Sequence, residues 1–239
     1  MRLLVAAVVA LSAIPALAES PRSGSFELRL GTYRPDIDSE FGGAATPYGT
    51  AFGTSRGLMI QMIFSRSLYL SDLVTVDLGF GAGYWEKYGV GVCSPPDCAT
   101  VQTGDSTSLL VVPLTLAATA RLDWLIYKAG TPLAPYLRLS LHDYLWWTYG
   151  GSGGVSVAPG AQRGAGQTMG WSLTGGLGLV LDFLDEQLGR EMDFDTGINH
   201  TILYVDVTKA WVDDFGSKSS WNLSPDASLW WGVGLLFVF

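Results

Sequence analysis

The chain has 239 residues, 48 % of them hydrophobic and only 15 % charged, with 30 glycines and a formal net charge of −8 at neutral pH. That acidic balance excludes the basic footprint on which nucleic-acid binding depends. After residue 18 no apolar run approaches the roughly 20 residues of a membrane-spanning helix, yet the composition is too greasy for an ordinary secreted soluble domain.

Residues 1–18, MRLLVAAVVALSAIPALA, carry one charge at Arg2, then a run of apolar and small residues, and close on Ala16-Leu17-Ala18. This is the pattern of a secretory signal peptide cut before Glu19, which leaves residues 19–239 as a single exported domain. The run is too short to anchor the chain as a helix, and no cysteine follows the cut to receive a lipid. Export also sets the redox compartment, so Cys93 and Cys98, which flank Ser94-Pro95-Pro96-Asp97, are expected to form a local disulfide across a turn.

Beyond the leader the hydropathy alternates with period two, the signature of strands with one apolar face. In Ser25 to Tyr33 the residues Phe26, Leu28 and Leu30 oppose Glu27, Arg29 and Gly31. Gly57 to Ser67 sets Leu58, Ile60, Met62 and Phe64 against Gln61, Ser65 and Ser67, and a turn at Ser71-Asp72 leads into Val74 to Trp85, where Asp77 shares a face with glycines. Ser108 to Asp123 opposes leucines and valine to Thr115, Ala117, Thr119 and Arg121. Leu133 to Trp147 opposes Leu137, Leu139 and Leu141 to Tyr136, Arg138, Ser140 and His142. Thr168 to Phe183 puts Asp182 on the polar face with Ser172 and Thr174, and Asn199 to Thr208 puts His200, Tyr204 and Asp206 there. The closing stretch SLWWGVGLLFVF, residues 228–239, has an apolar face of Leu229, Trp231, Val233, Leu235 and Phe237 and an inner face narrowed by Gly232 and Gly234.

Eight such segments, each long enough to cross a bilayer as a tilted strand, predict an all-β, eight-stranded antiparallel up-and-down transmembrane barrel. Closure is required because lipid offers no partner to the backbone of an edge strand. An even count brings both termini to one side, assigned to the periplasm of an outer membrane. The connections alternate accordingly: Arg34 to Arg56, Glu86 to Thr107, Thr148 to Gln167 and Lys209 to Ala227 are long and external, while those after the second and fourth segments are short. Leu184 to Ile198 is the exception, with room for one amphipathic helical turn at the inner rim. A soluble sandwich also alternates, but its polar face would be rich in Lys, Glu and Gln rather than Gly, Ser, Thr and Tyr.

Aromatic residues cluster near the segment ends, at Tyr84, Trp85, Tyr144, Trp146, Trp147, Trp211, Trp221, Trp230 and Trp231, and are expected to form the interfacial girdles of a membrane barrel. An eight-stranded barrel is just wide enough to be filled by side chains. Glu27, Asp77, Asp182 and Asp206 are therefore expected to balance Arg29, Arg121 and Arg138, with His142, in a closed polar plug.

The stretches YRPDIDSE (33–40), APYLRLSLHDYLWW (134–147), LDFLDEQLGREMDFDTGINHTILYVDV (181–207) and WWGVGLLFVF (230–239) resemble an uncharacterised family of small outer-membrane β-barrels typical of myxobacteria and their relatives, and more distantly the outer membrane protein A and W type barrels. The resemblance implies this fold and location and brings no activity or catalytic residues. A terminal aromatic, Phe239 with Phe237, also resembles the signal read by barrel-assembly machinery.

Catalysis is not expected. Ser140 and His142 share a face but lie roughly 7 Å apart along a strand, and neither they with Asp143 nor His200 with Asp206 assembles a nucleophile and base. Asp36, Asp38 and Glu40 read as a solvated acidic loop rather than a cation site, since the remaining ligands of a calcium loop are missing. The expectation is an integral outer-membrane protein without cofactor or metal, touching outer-membrane lipid and lipopolysaccharide and acting structurally or through its external loops on an unknown ligand. A narrow channel for small or hydrophobic solutes is the alternative, and a lipid-modifying enzyme a remoter one.

Overall fold

A computed structural model describes residues 21–92, 102–151, 153–158, 162–217 and 219–239. The signal peptide and the Cys93–Cys98 disulfide lie outside the described residues. Eight strands close into a barrel: β1 (Gly24–Tyr33), β2 (Gly57–Leu70), β3 (Val74–Val92), β4 (Gln102–Leu122), β5 (Leu133–Gly150), β6 (Ala165–Val180), β7 (His200–Trp211) and β8 (Trp230–Val238). Each pairs antiparallel with its chain neighbours, and β1 with β8, in the register Phe26↔Phe237 and Leu30↔Val233. Closure extends to the last residue. The Phe239 carbonyl accepts from the backbone N–H of Ser23 at 2.6 Å and of Gly24 at 2.8 Å, and its own N–H donates to Gly24 O at 3.0 Å.

The parity of the sequence is the parity of the wall. Phe64, Phe80, Leu116, Leu137, Leu141, Leu173, Val205 and Val233 stand outward and exposed, while Glu27, Arg29, Asp77, Arg138 and Asp206 on the alternate positions are buried inside. Such a belt of exposed apolar side chains is far larger than a monomeric soluble protein displays.

Three features depart from the pattern in the sequence. β3, β4 and β5 run 19, 21 and 18 residues, so much of the second and third external connections is not loop but strand standing above the belt. At about 3.3 Å per residue they are roughly twice the length needed to cross a membrane. The connection from Leu184 to Ile198 holds an 11-residue helix, Glu186–Thr196, instead of a single turn. Two shorter helices precede it, α1 (Pro47–Phe52) in the first external connection and α2 (Trp124–Tyr127) at the inner rim, making Glu186–Thr196 α3.

The inward glycines do not simply narrow the wall. A Cβ on Gly232 would stand 2.5 Å from the Arg29 guanidinium carbon, and one on Gly57 or Gly166 would stand 2.6 Å from the indole of Trp85 or Trp146. These glycines let a large side chain from the next strand lie flat across the wall, which is why few and large inward residues can fill the lumen.

Candidate functional site

The lumen is layered. Nearest the inner rim, Ala134, Val180, Ile202 and Val238 form an apolar cluster with Ile126 from α2, and Leu236 packs on it. Toward the outer face Tyr33, Met59, Trp85, Leu109, Val111, Tyr144, Trp146 and Trp230 form a second, aromatic cluster. Trp85 stands edge-on to Tyr33 with centroids 5.2 Å apart, and Trp230 is tilted at 5.9 Å from the same ring.

Between these two lids lies a polar layer. Arg29 grips Asp206 with Nη2 at 2.7 Å and Nε at 2.9 Å and gives Nη1 to Gln61 at 2.9 Å, while Tyr136 donates to Asp206 at 3.1 Å. The Arg29 guanidinium also sits 4.2 Å over the Trp230 ring, tying the layer to the lid above it. Arg138 makes a two-pronged contact with Glu27, one prong 2.9 Å, and places Nε 2.9 Å from Thr119 Oγ1, while Tyr204 donates to Glu27 at 2.6 Å. His142 lies between Thr115 Oγ1 at 3.0 Å and Ser172 Oγ at 2.8 Å. Arg29, Asp206, Arg138 and Glu27 thus each have an opposite charge and a further hydrogen-bond partner, the condition under which a low-dielectric interior tolerates them. The space left in the layer, lined by Glu27, Arg138, Tyr136 and Tyr204 among others, is about 20 Å³, room for about one water.

Seven of the eight residues expected in the plug, all but Asp182, are buried on the inner face as paired or hydrogen-bonded groups, two of them with partners other than expected. Asp77 faces no arginine and accepts from Ser67 Oγ at 2.7 Å. Arg121 pairs at 2.8 Å with Asp123, the last residue of the fourth alternating segment, and Asp123 also takes Arg22 at 3.4 Å. Asp182 is a correction. β6 ends at Val180, so Asp182 sits in a short 3-10 turn at the inner rim, outside the lumen, with its Oδ2 2.7 Å from His200 Nδ1. His200 meets Tyr127 Oη at 2.7 Å through its other nitrogen. Gln61, Tyr136, Tyr204 and Thr208 complete the polar layer; the alternation puts Gln61, Tyr136 and Tyr204 on inner faces without marking them as partners of its charges.

The groupings considered in the sequence, Ser140 with His142 and Asp143 and His200 with Asp206, do not come together. His142 reaches Thr115 and Ser172 but not Ser140, and Asp143 points to the opposite, outward face of β5 beside Met169 and Leu114. Asp206 belongs to Arg29, not to His200.

Half of the expected girdle is also a correction. Trp85, Tyr144, Trp146 and Trp230 turn inward to build the outer lid, and Trp221 stacks on Trp146 with centroids 4.2 Å apart. Tyr84 and Trp231 are outward as expected, as is Trp171, which stacks 4.3 Å from Trp211.

Above the outer lid the first and fourth connections are stitched together. Asp38 accepts from the backbone N–H groups of Tyr48 at 2.8 Å and Gly49 at 2.9 Å, capping α1, and holds Arg34 at 3.3 Å. Arg34 and Arg56 both reach Asp226, at 3.5 Å and 3.0 Å, and Glu40 accepts from Asn222 N–H. Burial pushes the Asp36 carboxyl and the Tyr48 phenol up from their ordinary values. The acidic stretch therefore serves as loop scaffolding, and among the described residues no group of three or more ligating side chains could hold a metal.

No protein-family model and no curated protein matches the chain. Among solved structures it is similar to Neisserial surface protein A, at 11 % identity over 93 % of this chain and 99 % of that one, with a TM-score of 0.43. OprG from Pseudomonas aeruginosa is similar at 12 % identity over 91 % and 97 %, TM-score 0.45, and Ail of Yersinia pestis at 8 % over 92 % and 99 %, TM-score 0.39. At these levels the architecture rests on the chain's own strand pairing.

Proposed function

We propose that this chain is an integral outer-membrane barrel that does not conduct, and that it acts at the cell surface through the structure its long strands and external connections build. The belt of outward apolar side chains needs a hydrocarbon solvent, and a closed barrel is one of the two forms of backbone that such a solvent admits. The observation that carries the reading is the sequence of layers in the lumen: an apolar lid, a polar layer held by the Arg29–Asp206 and Arg138–Glu27 pairs, then an aromatic lid. A hydrated ion would have to break the Arg29–Asp206 pair and displace Trp85 or Trp230. The same wall would contact lipopolysaccharide outside, and the closing strand would present Phe237 and Phe239 to the assembly machinery.

Planar-bilayer recording of the purified, reconstituted chain tests this. Baseline current without discrete steps is expected, both for the native protein and for Thr208→Ala. Stepwise openings whose size changes on Arg138→Ala would transfer the reading to a narrow channel.

A further inference from the structure

At the inner rim, outside the polar layer, three side chains form a second chain of hydrogen bonds. Asp182 Oδ1 accepts from the backbone N–H of Thr201 at 3.2 Å, and Asp182 Oδ2 lies 2.7 Å from His200 Nδ1. His200 Nε2 lies 2.7 Å from the Tyr127 hydroxyl oxygen. A carboxylate can only accept, so Nδ1 carries the ring proton and Nε2 is the acceptor for the phenol O–H. The three residues come from α2, the 3-10 turn after β6 and the first position of β7, which the barrel brings together at one point of the rim.

An oxygen within hydrogen-bond reach of a base, and a base oriented by a third group, is the signature of an activated nucleophile. Tyr127, His200 and Asp182 all line one cleft of about 300 Å³. The His200 side chain is 11 % exposed, so the base is reached through the cleft and otherwise enclosed. Ile126 and Phe183 give the cleft an apolar side, while Arg190 and Asp193 of α3 line it with opposite charges, so that it selects no net charge. The Arg22 guanidinium, paired with Asp123, lies 4.6 Å from the centroid of the Tyr127 ring and sets positive charge against the ring that gains negative charge as its proton leaves.

We propose that this cleft is an acyl-transfer site, with Tyr127 as nucleophile, His200 as its base and Asp182 as the residue that positions the base, acting on an uncharged carboxylic ester whose apolar acyl group lies against Ile126 and Phe183. The Tyr127 oxygen attacks the carbonyl carbon while His200 Nε2 takes the phenol proton. The alcohol leaves with that proton, and the acyl group stays as an ester on Tyr127. A water that gives its proton to His200 then attacks the acyl carbon, the carboxylic acid departs, and the proton returns to the Tyr127 oxygen. The site lies outside the lumen and is independent of whether the barrel conducts.

Mixing the full chain in phosphatidylethanolamine nanodiscs with excess p-nitrophenyl butyrate, corrected by empty nanodiscs, reads the proposal. A burst of about one p-nitrophenolate per chain is expected, with the butyryl group found on Tyr127 by peptide mass. Tyr127→Phe, which removes only the oxygen, should abolish the burst. His200→Ala should slow butyrylation of Tyr127 by at least about 100-fold, and added imidazole should restore part of it, a rescue that a merely structural histidine would not permit. Asp182→Asn should slow it by about tenfold or more with folded gel mobility kept, because an amide no longer fixes which ring nitrogen holds the proton. A burst that survives Tyr127→Phe, a butyryl group found only elsewhere, or native rates in folded His200→Ala protein overturns the site. Fatty acid released from the nanodisc lipid itself would make a membrane lipid the ester, and turnover of the butyrate alone a soluble one.

Discussion

Arg29 and Asp206 show how a single pair can hold a barrel shut. Their contact spans β1 and β7 across β8, beneath Trp230 and over Gly232, whose missing side chain makes the space the guanidinium occupies. Removing the cation alone would leave Asp206 buried with only Tyr136 and no countercharge, a change that costs about 3–5 kcal/mol in comparable interiors. Arg29→Ala is therefore expected to lower unfolding stability in vesicles by that order, and Arg29→Met with Asp206→Leu to recover most of it, since an apolar pair of similar volume carries no desolvation cost. Urea unfolding followed by gel mobility measures both, and equal stability of the single and double variants would show that the pair is not the reason. Gly232→Ala attacks the same contact from the wall. The new methyl would meet the guanidinium, and overpacking of this kind costs about 1–3 kcal/mol.

The strands were the most legible elements, because one face needs lipid and the other must fill a lumen, and period two records both demands. All eight came out of the alternation, as did the inward direction of Glu27, Arg138 and His142. The same parity also contained the directions of Tyr84 and Trp85, of Trp146 and Trp147, and of Trp230 and Trp231. Nearness to a strand end does not set a ring's direction, because adjacent residues of a strand must face opposite ways. Asp182 is the reverse case, since the strand stops at Val180 and parity says nothing of a residue beyond its end. Which acid meets which arginine was not legible, since partners such as Glu27 and Arg138 sit on strands opposite each other in the barrel and are matched only by its register. β8 makes the element-scale prediction. Phe239 supplies three backbone hydrogen bonds to Ser23 and Gly24, and Phe237 stacks 6.3 Å from Phe26, which lies 4.7 Å from Phe64. Deleting Phe239 is expected to slow closure and leave protein in the periplasm, whereas Phe239→Tyr, which keeps ring and backbone, should assemble normally. Membrane fractionation reads the result, and native membrane levels of the deletion would detach the last residue from assembly.

At the scale of the molecule, two solvents meet across one layer of backbone, and the tryptophans report which is which. Trp230 and Trp231 are neighbours in sequence, yet Trp230 is 4 % exposed within the aromatic lid while Trp231 is 62 % exposed on the apolar belt. If the belt is what a bilayer covers, Trp231 touches acyl chains while Trp230 is separated from them by the wall. In reconstituted proteins that retain a single tryptophan, the others replaced by phenylalanine, brominated lipid should quench Trp231 several-fold more than Trp230, because contact quenching falls off within a few ångströms. Trp171, outward on β6 and 37 % exposed, should behave like Trp231, whereas Trp85, fully buried, should behave like Trp230. Replacing Trp85 and Trp230 removes lid mass, so folded gel mobility has to be verified for each variant before its spectrum is compared. Equal strong quenching of Trp230 and Trp231 in folded protein would mean that lipid reaches the lumen and would undo the sealed interior, whereas no quenching of either would undo the membrane embedding.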